Sequence, residues 1–175
     1  MMKRLLPILL LLTACSSQQV QQGVTLPRDA RWALLPLVNL SEAPRAGERA
    51  RRLVEAALRA RGVEPVLAPT PRAPEALPLL DDRVRLDKAL AWARRERIRY
   101  AVTGSVEEWR YKSGLDGEPA VGLSLRIVEI PEGRVVWVGS GARTGWGYAN
   151  LSGTATRVID DLLDTLQLAS GTPAH

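Results

Sequence analysis

The sequence predicts an α/β fold: a mixed sheet of about five strands covered by helices, in the order β-α-β-α-β-β-β-α. Three observations predict it. The first half alternates short apolar runs with stretches of helical period, the pattern of parallel strand–helix units. The middle carries three longer segments of strand character joined by turns, an antiparallel meander. A final amphipathic stretch of helical period follows the meander and closes the fold. One domain over residues 30–168 accommodates all of it.

Trp32 to Asn39 (WALLPLVN) is a continuous apolar run, as expected of a strand buried on both faces. Pro36 cannot donate to a ladder, so it marks an edge or a bulge. Ala46 to Arg61 reads as a helix with Ala50, Leu53, Val54, Ala57 and Leu58 on one stripe. Glu48–Arg52 and Glu55–Arg59 are i,i+4 pairs on its outer side. Gly62 supplies a stop, and Val63 to Ala68 makes a short strand. Residues 69–78 hold four prolines and should be irregular. Asp81 or Asp82 then caps a second helix to about Arg97, with Leu86, Ala89, Leu90 and Ala93 inward. Paired aspartates can also serve acid–base or metal chemistry, but at a helix start capping is the simpler role.

Tyr100 to Lys112, Ala120 to Ile130 and Arg134 to Gly141 are the meander strands. Val121, Leu123, Leu125 and Ile127 alternate cleanly, and Pro131-Glu132-Gly133 is a tight turn. The last helix begins near Ser152 and turns Ala155, Val158, Ile159, Leu162, Leu163 and Leu166 inward. Asp160, Asp161 and Asp164 lie mostly outward.

Upstream of the domain, the chain opens MMKRLLPILLLLTACSS. Lys3 and Arg4 precede an apolar core of eight residues, Leu5 to Leu12. Roughly 20 apolar residues are needed to span a bilayer as a helix, so this is a signal-peptide core over residues 1–14. Leu12-Thr13-Ala14-Cys15 resembles the bacterial lipobox, which makes Cys15 the lipidation site and the new N-terminus. A covalent lipid on Cys15 is the only attached group expected, with no cofactor. Several acyl chains at about 0.8 kcal/mol per buried methylene anchor a protein firmly. Ser16 stands where an inner-membrane retention signal would place Asp, so the expected destination is the periplasmic face of the outer membrane. Residues 15–29 then read as a polar, Gln-rich tether, and residues 169–175 as a flexible tail.

Removing residues 1–14 lowers the formal charge from +5 to +3. A pI near 10.0 raises the question of nucleic acid. The compartment argues against it, and no basic stripe is interleaved with stacking aromatics, so no nucleic-acid partner is expected. Enzyme chemistry is also excluded on composition. The only His is His175, at the end of the tail, and the only Cys is lipidated, so neither a Ser–His nor a Cys–His pair can form. Gly139-Ser140-Gly141 to Gly145 has the wrong spacing for a phosphate loop, and no helix starts directly after it.

The stretches WALLPLVNLSEAPRAGERA, YAVTGSVEEWRYKSGLDGEPAVG and GARTGWG closely resemble the PelC family, outer-membrane lipoproteins of the Pel exopolysaccharide secretion machinery. The resemblance spans about residues 30–166 plus the lipobox. It implies a fold similar to the TolB N-terminal and curli-secretion lipoprotein domains. It also implies a dodecameric ring beneath the outer-membrane export barrel PelB, with outer-membrane lipid as a further partner. The Pel polymer is partly deacetylated and cationic. Residues 105–132 carry six acids (Glu107, Glu108, Asp116, Glu118, Glu129, Glu132) against three bases (Arg110, Lys112, Arg126). Repeated around a ring, that surplus would concentrate a cationic polysaccharide. The polysaccharide-guiding cluster is therefore read as Asp116, Glu118, Glu107 and Glu108; the plainer alternative is a solvated hairpin with local ion pairs.

Two further expectations concern surfaces. Trp146, between glycines in TGWGY, has little local packing; Trp146 and Tyr148 are read as membrane-contacting residues that form an aromatic belt at the interface, the plainer alternative being packing in the core or against a neighbouring subunit. Glu42, Arg45 and Arg49 are candidates for contacts between subunits. A competing function is a lipoprotein activator of a periplasmic peptidoglycan synthase, which would need a long disordered linker where this chain has a short one. A generic structural lipoprotein is a third.

Overall fold

The computed structural model describes residues 17–20, 24–69, 78–113, 117–146 and 149–170, with side chains for all but 17–20 and 78–81. Its elements are β1 (Ser17–Val20), β2 (Thr25–Pro27), β3 (Trp32–Asn39), α1 (Ala46–Ala60), β4 (Val66–Leu67), α2 (Pro78–Arg95), β5 (Tyr100–Tyr111), β6 (Pro119–Glu129), β7 (Arg134–Thr144), α3 (Leu151–Leu163) and β8 (Gln167–Ala169). The predicted five-strand mixed sheet is present and is extended by β1, giving the order β1-β7-β6-β5-β3-β4. β3 pairs parallel with both β4 and β5, whereas β5, β6, β7 and β1 pair antiparallel. β2 and β8 form a separate parallel pair.

One face of the sheet is closed by α1 and α3. Trp32, Leu34, Leu58, Leu123, Leu125, Ile127, Ile159 and Leu162 form a continuous dry core there. Each such large side chain contributes about 1.5–3 kcal/mol by leaving water. The predicted stripes are seen: Ala50, Val54, Ala57 and Leu58 on α1, and Ala155, Val158, Ile159, Leu162 and Leu163 on α3, are buried. Among the described residues the other face is covered by α2, which packs Leu86, Ala89 and Ala93 on Ala33, Leu35, Ala101, Val128 and Ile130. Beyond α2 the sheet shows polar residues outward, such as exposed Arg126 and the Ser124–Ser140 hydroxyl pair at 2.9 Å.

Pro36 sits in a bulge, where Leu35 and Pro36 together oppose Thr103. Its carbonyl accepts the buried Thr103 hydroxyl at 2.8 Å, which satisfies both groups. Gly62, at φ +77°, ends α1 as expected.

Several expectations are corrected. Neither Asp81 nor Asp82 caps α2, because the helix already starts at Pro78, whose missing N–H suits a first turn. Asp82 lies one turn in and accepts the Asn39 amide at 2.9 Å, tying α2 to the end of β3. Glu48 pairs with Arg45 at 2.7 Å and not with Arg52, while the Glu55–Arg59 pair does form. The strand read over 63–68 shortens to β4. The segment read as a tether carries β1 and β2, and the last described residues carry β8. Leu26 is buried and the Trp32 indole donates to the Pro27 carbonyl at 3.0 Å, so ordered structure begins well before residue 30. Asp160, Asp161 and Asp164 do lie outward as predicted, and there they take arginine partners: Arg61 reaches Asp160 and Asp164, and Arg143 reaches Asp161 at 2.6 Å.

Candidate functional site

The acid-rich stretch is mostly strand. Residues 107–111 complete β5, β6 begins at Pro119, and the Lys112 amide donates to the Glu118 carbonyl at 2.7 Å to close the hairpin. Val106 opposes Leu123 and Glu108 opposes Gly122, so Glu107 is the extra residue of a β-bulge. Glu107 is exposed and accepts the Ser105 hydroxyl at 2.6 Å. Glu108 pairs with the Arg110 guanidinium at 2.8 Å, so its charge is offset. Glu118 is half-buried at the hairpin closure and forms no ion pair with a described residue. Glu118 stands four residue steps before Gly122, the partner of Glu108, which is about 13 Å along a strand. These acids form a strip down one hairpin arm and not a tight cluster. Asp116 lies outside the described residues, as do Cys15 and Tyr148.

The predicted surplus of negative charge is not gathered in one place. Glu129 lies at the far end of β6, opposite Tyr100, and is clamped by Arg99 and Arg134, both at 2.6 Å. Glu132 lies 3.8 Å from Arg99 in the same group. The Arg134 hydrogen bond, ahead of the attraction of Arg99, holds the Glu129 carboxyl below the ordinary Glu range. Both acids are therefore neutralised about 33 Å of strand from the hairpin loop, reckoned over the ten residues from Pro119 to Glu129. The uncompensated acids on the arm are Glu107 and Glu118 among the described residues.

The loop end of the arm carries other features that composition did not single out. Tyr111 is 52% exposed, and the Lys112 ammonium donates to the Thr144 hydroxyl at 2.9 Å. Next along β7 comes Gly145, buried, whose amide donates to the Pro119 carbonyl at 2.7 Å. A Cβ there would lie 2.6 Å from Pro119 and 2.7 Å from Ala149. That tight fit turns the chain sharply, and Trp146 stands 70% exposed. Within this chain its ring is not a core residue.

Arg45 and Arg49 line an open groove of about 370 Å³ with Pro44, Glu48 and Arg52. Arg45 adopts φ +59° directly before α1, and Arg49 stacks its guanidinium 5.7 Å over the buried Trp109 ring. Glu42 is exposed in the preceding loop. Among the described residues, no three His, Cys, Asp or Glu side chains stand close enough to hold a metal, and no helix is long and apolar enough to cross a membrane.

No family model matches the chain, and no curated protein does. Among solved structures, it is similar to PelC dodecamers from Paraburkholderia phytofirmans in two crystal forms. A point variant of PelC in one form aligns at 36% identity with a TM-score of 0.75, covering 89% of this chain and 100% of that one. The second form aligns at 36% identity with a TM-score of 0.73 and the same coverage. A lipoprotein from Neisseria meningitidis aligns at 15% identity with a TM-score of 0.54, covering 77% of this chain and 96% of that one, a likeness of fold alone.

Proposed function

The chain belongs to the PelC family, and from that premise we propose that it is a non-enzymatic outer-membrane lipoprotein, anchored through Cys15, whose periplasmic ring guides cationic Pel polysaccharide to an outer-membrane export barrel. The observation that carries this reading is the likeness to PelC dodecamers over the whole of their chain at 36% identity. The ring is the functional unit because it multiplies a modest charge. Glu107 and Glu118 leave two carboxylates on each hairpin arm without a described counter-ion. Isolated exposed charges of this kind attract a polycation weakly, and salt screens them over about 8–10 Å. Arranged in a closed ring they share one field, which concentrates an oppositely charged chain at the mouth. A polymer passing through must also leave, so many weak sites suit export better than one tight pocket.

The test is a triple substitution, Glu107→Gln, Asp116→Asn and Glu118→Gln, which alters no described ion pair. Ring assembly and melting temperature should stay unchanged while exported polymer falls. Binding of a soluble polyglucosamine to the wild-type ring should weaken steeply as salt rises. Undiminished export by an assembled triple variant overturns the guiding role.

A further inference from the structure

We propose that the end of the sheet opposite the hairpin loop docks an acidic segment of a partner protein. Exposed Arg31, Arg94, Arg95 and Arg97 would hold it together with the fixed pair Arg99 and Arg134. The surface lies apart from the acidic arm and stands whether or not a polysaccharide passes that arm.

Backbone bonds make these residues one surface. The Arg99 amide donates to the Arg31 carbonyl at 2.8 Å, and the Ile130 amide donates to the Arg99 carbonyl at 2.9 Å. Glu129 pairs with Arg134 across β6 and β7. Arg31, Arg99 and Arg134 therefore stand at the starts of β3, β5 and β7 along one end of the sheet, where each strand step is about 4.8 Å. The last turn of α2 ends beside them and carries Arg94 and Arg95. Residues 28–31, 94–99 and 129–134 hold seven arginines, no lysine and four acids. Glu129 and Glu132 are taken up by Arg99 and Arg134. Arg31, Arg94, Arg95 and Arg97 are exposed and make no ion pair with a described residue.

Two of the guanidinium groups are held in place, and a third sits where the backbone disfavours it. The buried Glu129 carboxylate accepts from Arg99 and Arg134, both at 2.6 Å, and Arg99 also lies 5.6 Å over the Tyr100 ring. A guanidinium has five N–H donors, so each keeps donors for a further carboxylate. Arg97 follows α2 at φ +53°. Its amide donates to the Arg94 carbonyl at 3.1 Å, and the Ile98 amide donates to the Ala93 carbonyl at 3.0 Å. This is the Schellman position, where glycine is the least strained residue. An arginine kept there against the backbone preference points to a use for its side chain outside the fold.

Guanidinium forks suit carboxylates and phosphates alike, and the surroundings select carboxylates on a protein. Exposed Glu96 and Glu132 interrupt the patch, which suits discrete side chains and repels a dense polyphosphate. Val66 and Leu67 of the outermost strand β4 are 44% and 43% exposed, and Val66 pairs with Ala33, two residues from Arg31. Apolar surface beside arginine is the composition of a protein interface. Among the described residues no aromatic ring is exposed at this end, so it lacks what a membrane boundary or stacked bases would use. A cationic polysaccharide is repelled by it.

The probe is a fluorescent octaglutamate peptide, added to the mature chain in detergent and followed by anisotropy. It should bind, and more weakly as salt rises, whereas octaglutamine should not bind. Arg31→Gln with Arg97→Gln should lower the affinity roughly five- to tenfold, the loss expected of two exposed ion pairs. Arg83→Gln with Arg157→Gln removes the same charge from exposed sites on α2 and α3 and should leave the affinity nearly unchanged. Arg97→Gly should weaken binding while the melting temperature stays level or rises, which an arginine of purely structural role would not do. No binding of octaglutamate, or equal losses in the two double variants, overturns the surface. Tighter binding of a polyphosphate of equal charge, or of peptidoglycan sacculi, lost in the Arg31→Gln, Arg97→Gln variant, overturns the protein partner.

Discussion

The hairpin arm that bears Glu107 and Glu118 depends on close contact of β5 with β6, and Gly104→Ala tests that contact. A Cβ at position 104 would lie 2.0 Å from the Ser124 carbonyl oxygen and 3.1 Å from the Leu125 Cα. Both obstacles are backbone, so no rotamer change relieves them. The strands must separate by more than an ångström locally, stretching ladder bonds beyond about 3.2 Å, where they weaken. Overpacking usually costs about 1–3 kcal/mol, and a backbone clash belongs at the upper end. Alanine returns about 0.4–1 kcal/mol by narrowing the unfolded ensemble. The net loss is about 2–3 kcal/mol. At roughly 2–4 °C per kcal/mol for a domain of this size, the melting temperature should fall by about 5–10 °C. Gly122→Ala, on the partner strand, is the control: its Cβ would meet nothing nearer than 3.5 Å. It should leave the melting temperature level or slightly higher. Thermal unfolding of the soluble Cys15→Ser chain, followed by circular dichroism, reads both. Equal melting temperatures for Gly104→Ala and wild type, or an equal drop for Gly122→Ala, would refute the packing argument.

Trp146→Ala should weaken vesicle binding of the unlipidated ring and leave its melting temperature alone, because the ring is 70% exposed; a large loss of stability with binding unchanged would make it a packing residue. The Glu129 carboxyl is held below its ordinary range by Arg134 and Arg99, so its contribution is complete above the unfolded Glu value of about 4.3 and is lost as pH falls through the depressed one. Acid titration of stability should therefore be shallower for Glu129→Gln than for wild type below that value, and parallel curves would count against the clamp.

What the sequence made legible was what repeats. The bounds of β3 follow from one apolar run, the inward faces of α1 and α3 from helical spacing, and the β6 core residues from strict alternation. What stayed hidden were elements defined by a distant partner. β1, β2 and β8 are three or four residues long, and each exists only because its partner supplies the ladder. No local period announces them. The count of acids over residues 105–132 overreached for the same reason. Glu129 and Glu132 were counted with Glu107 by position in the chain, yet antiparallel pairing sends them to the opposite end of the sheet. There Arg99 and Arg134, the first from outside the counted window and the second just past it, neutralise them. Trp146 was legible as unpacked, because glycine flanks predict that; that Tyr111 and Lys112 share its end of the sheet was not, since pairing across the hairpin sets it.

The bulge at Glu107 joins the fold to the proposed function. Val106 and Trp109 are both buried in the core beneath α1 and α3, yet they stand three residues apart. A regular strand alternates faces every residue, so two positions at odd spacing cannot share a face. If residues 106–109 alternated regularly with no bulge, burying Val106 would send Trp109 out to solvent and carry Glu108 into the core. An unpaired carboxylate there would cost several kcal/mol, and the lost indole a few more. The bulge takes Glu107 out of the ladder, so that Trp109 keeps its place in the core beneath Arg49 while Glu107 and Glu108 follow one another outside it. Two adjacent acids before a Trp are therefore the local price of keeping the core dry while the arm stays negative. The same insertion increases strand twist beyond it, and the hairpin tip that follows, Tyr111 and Lys112 included, is aimed by that twist.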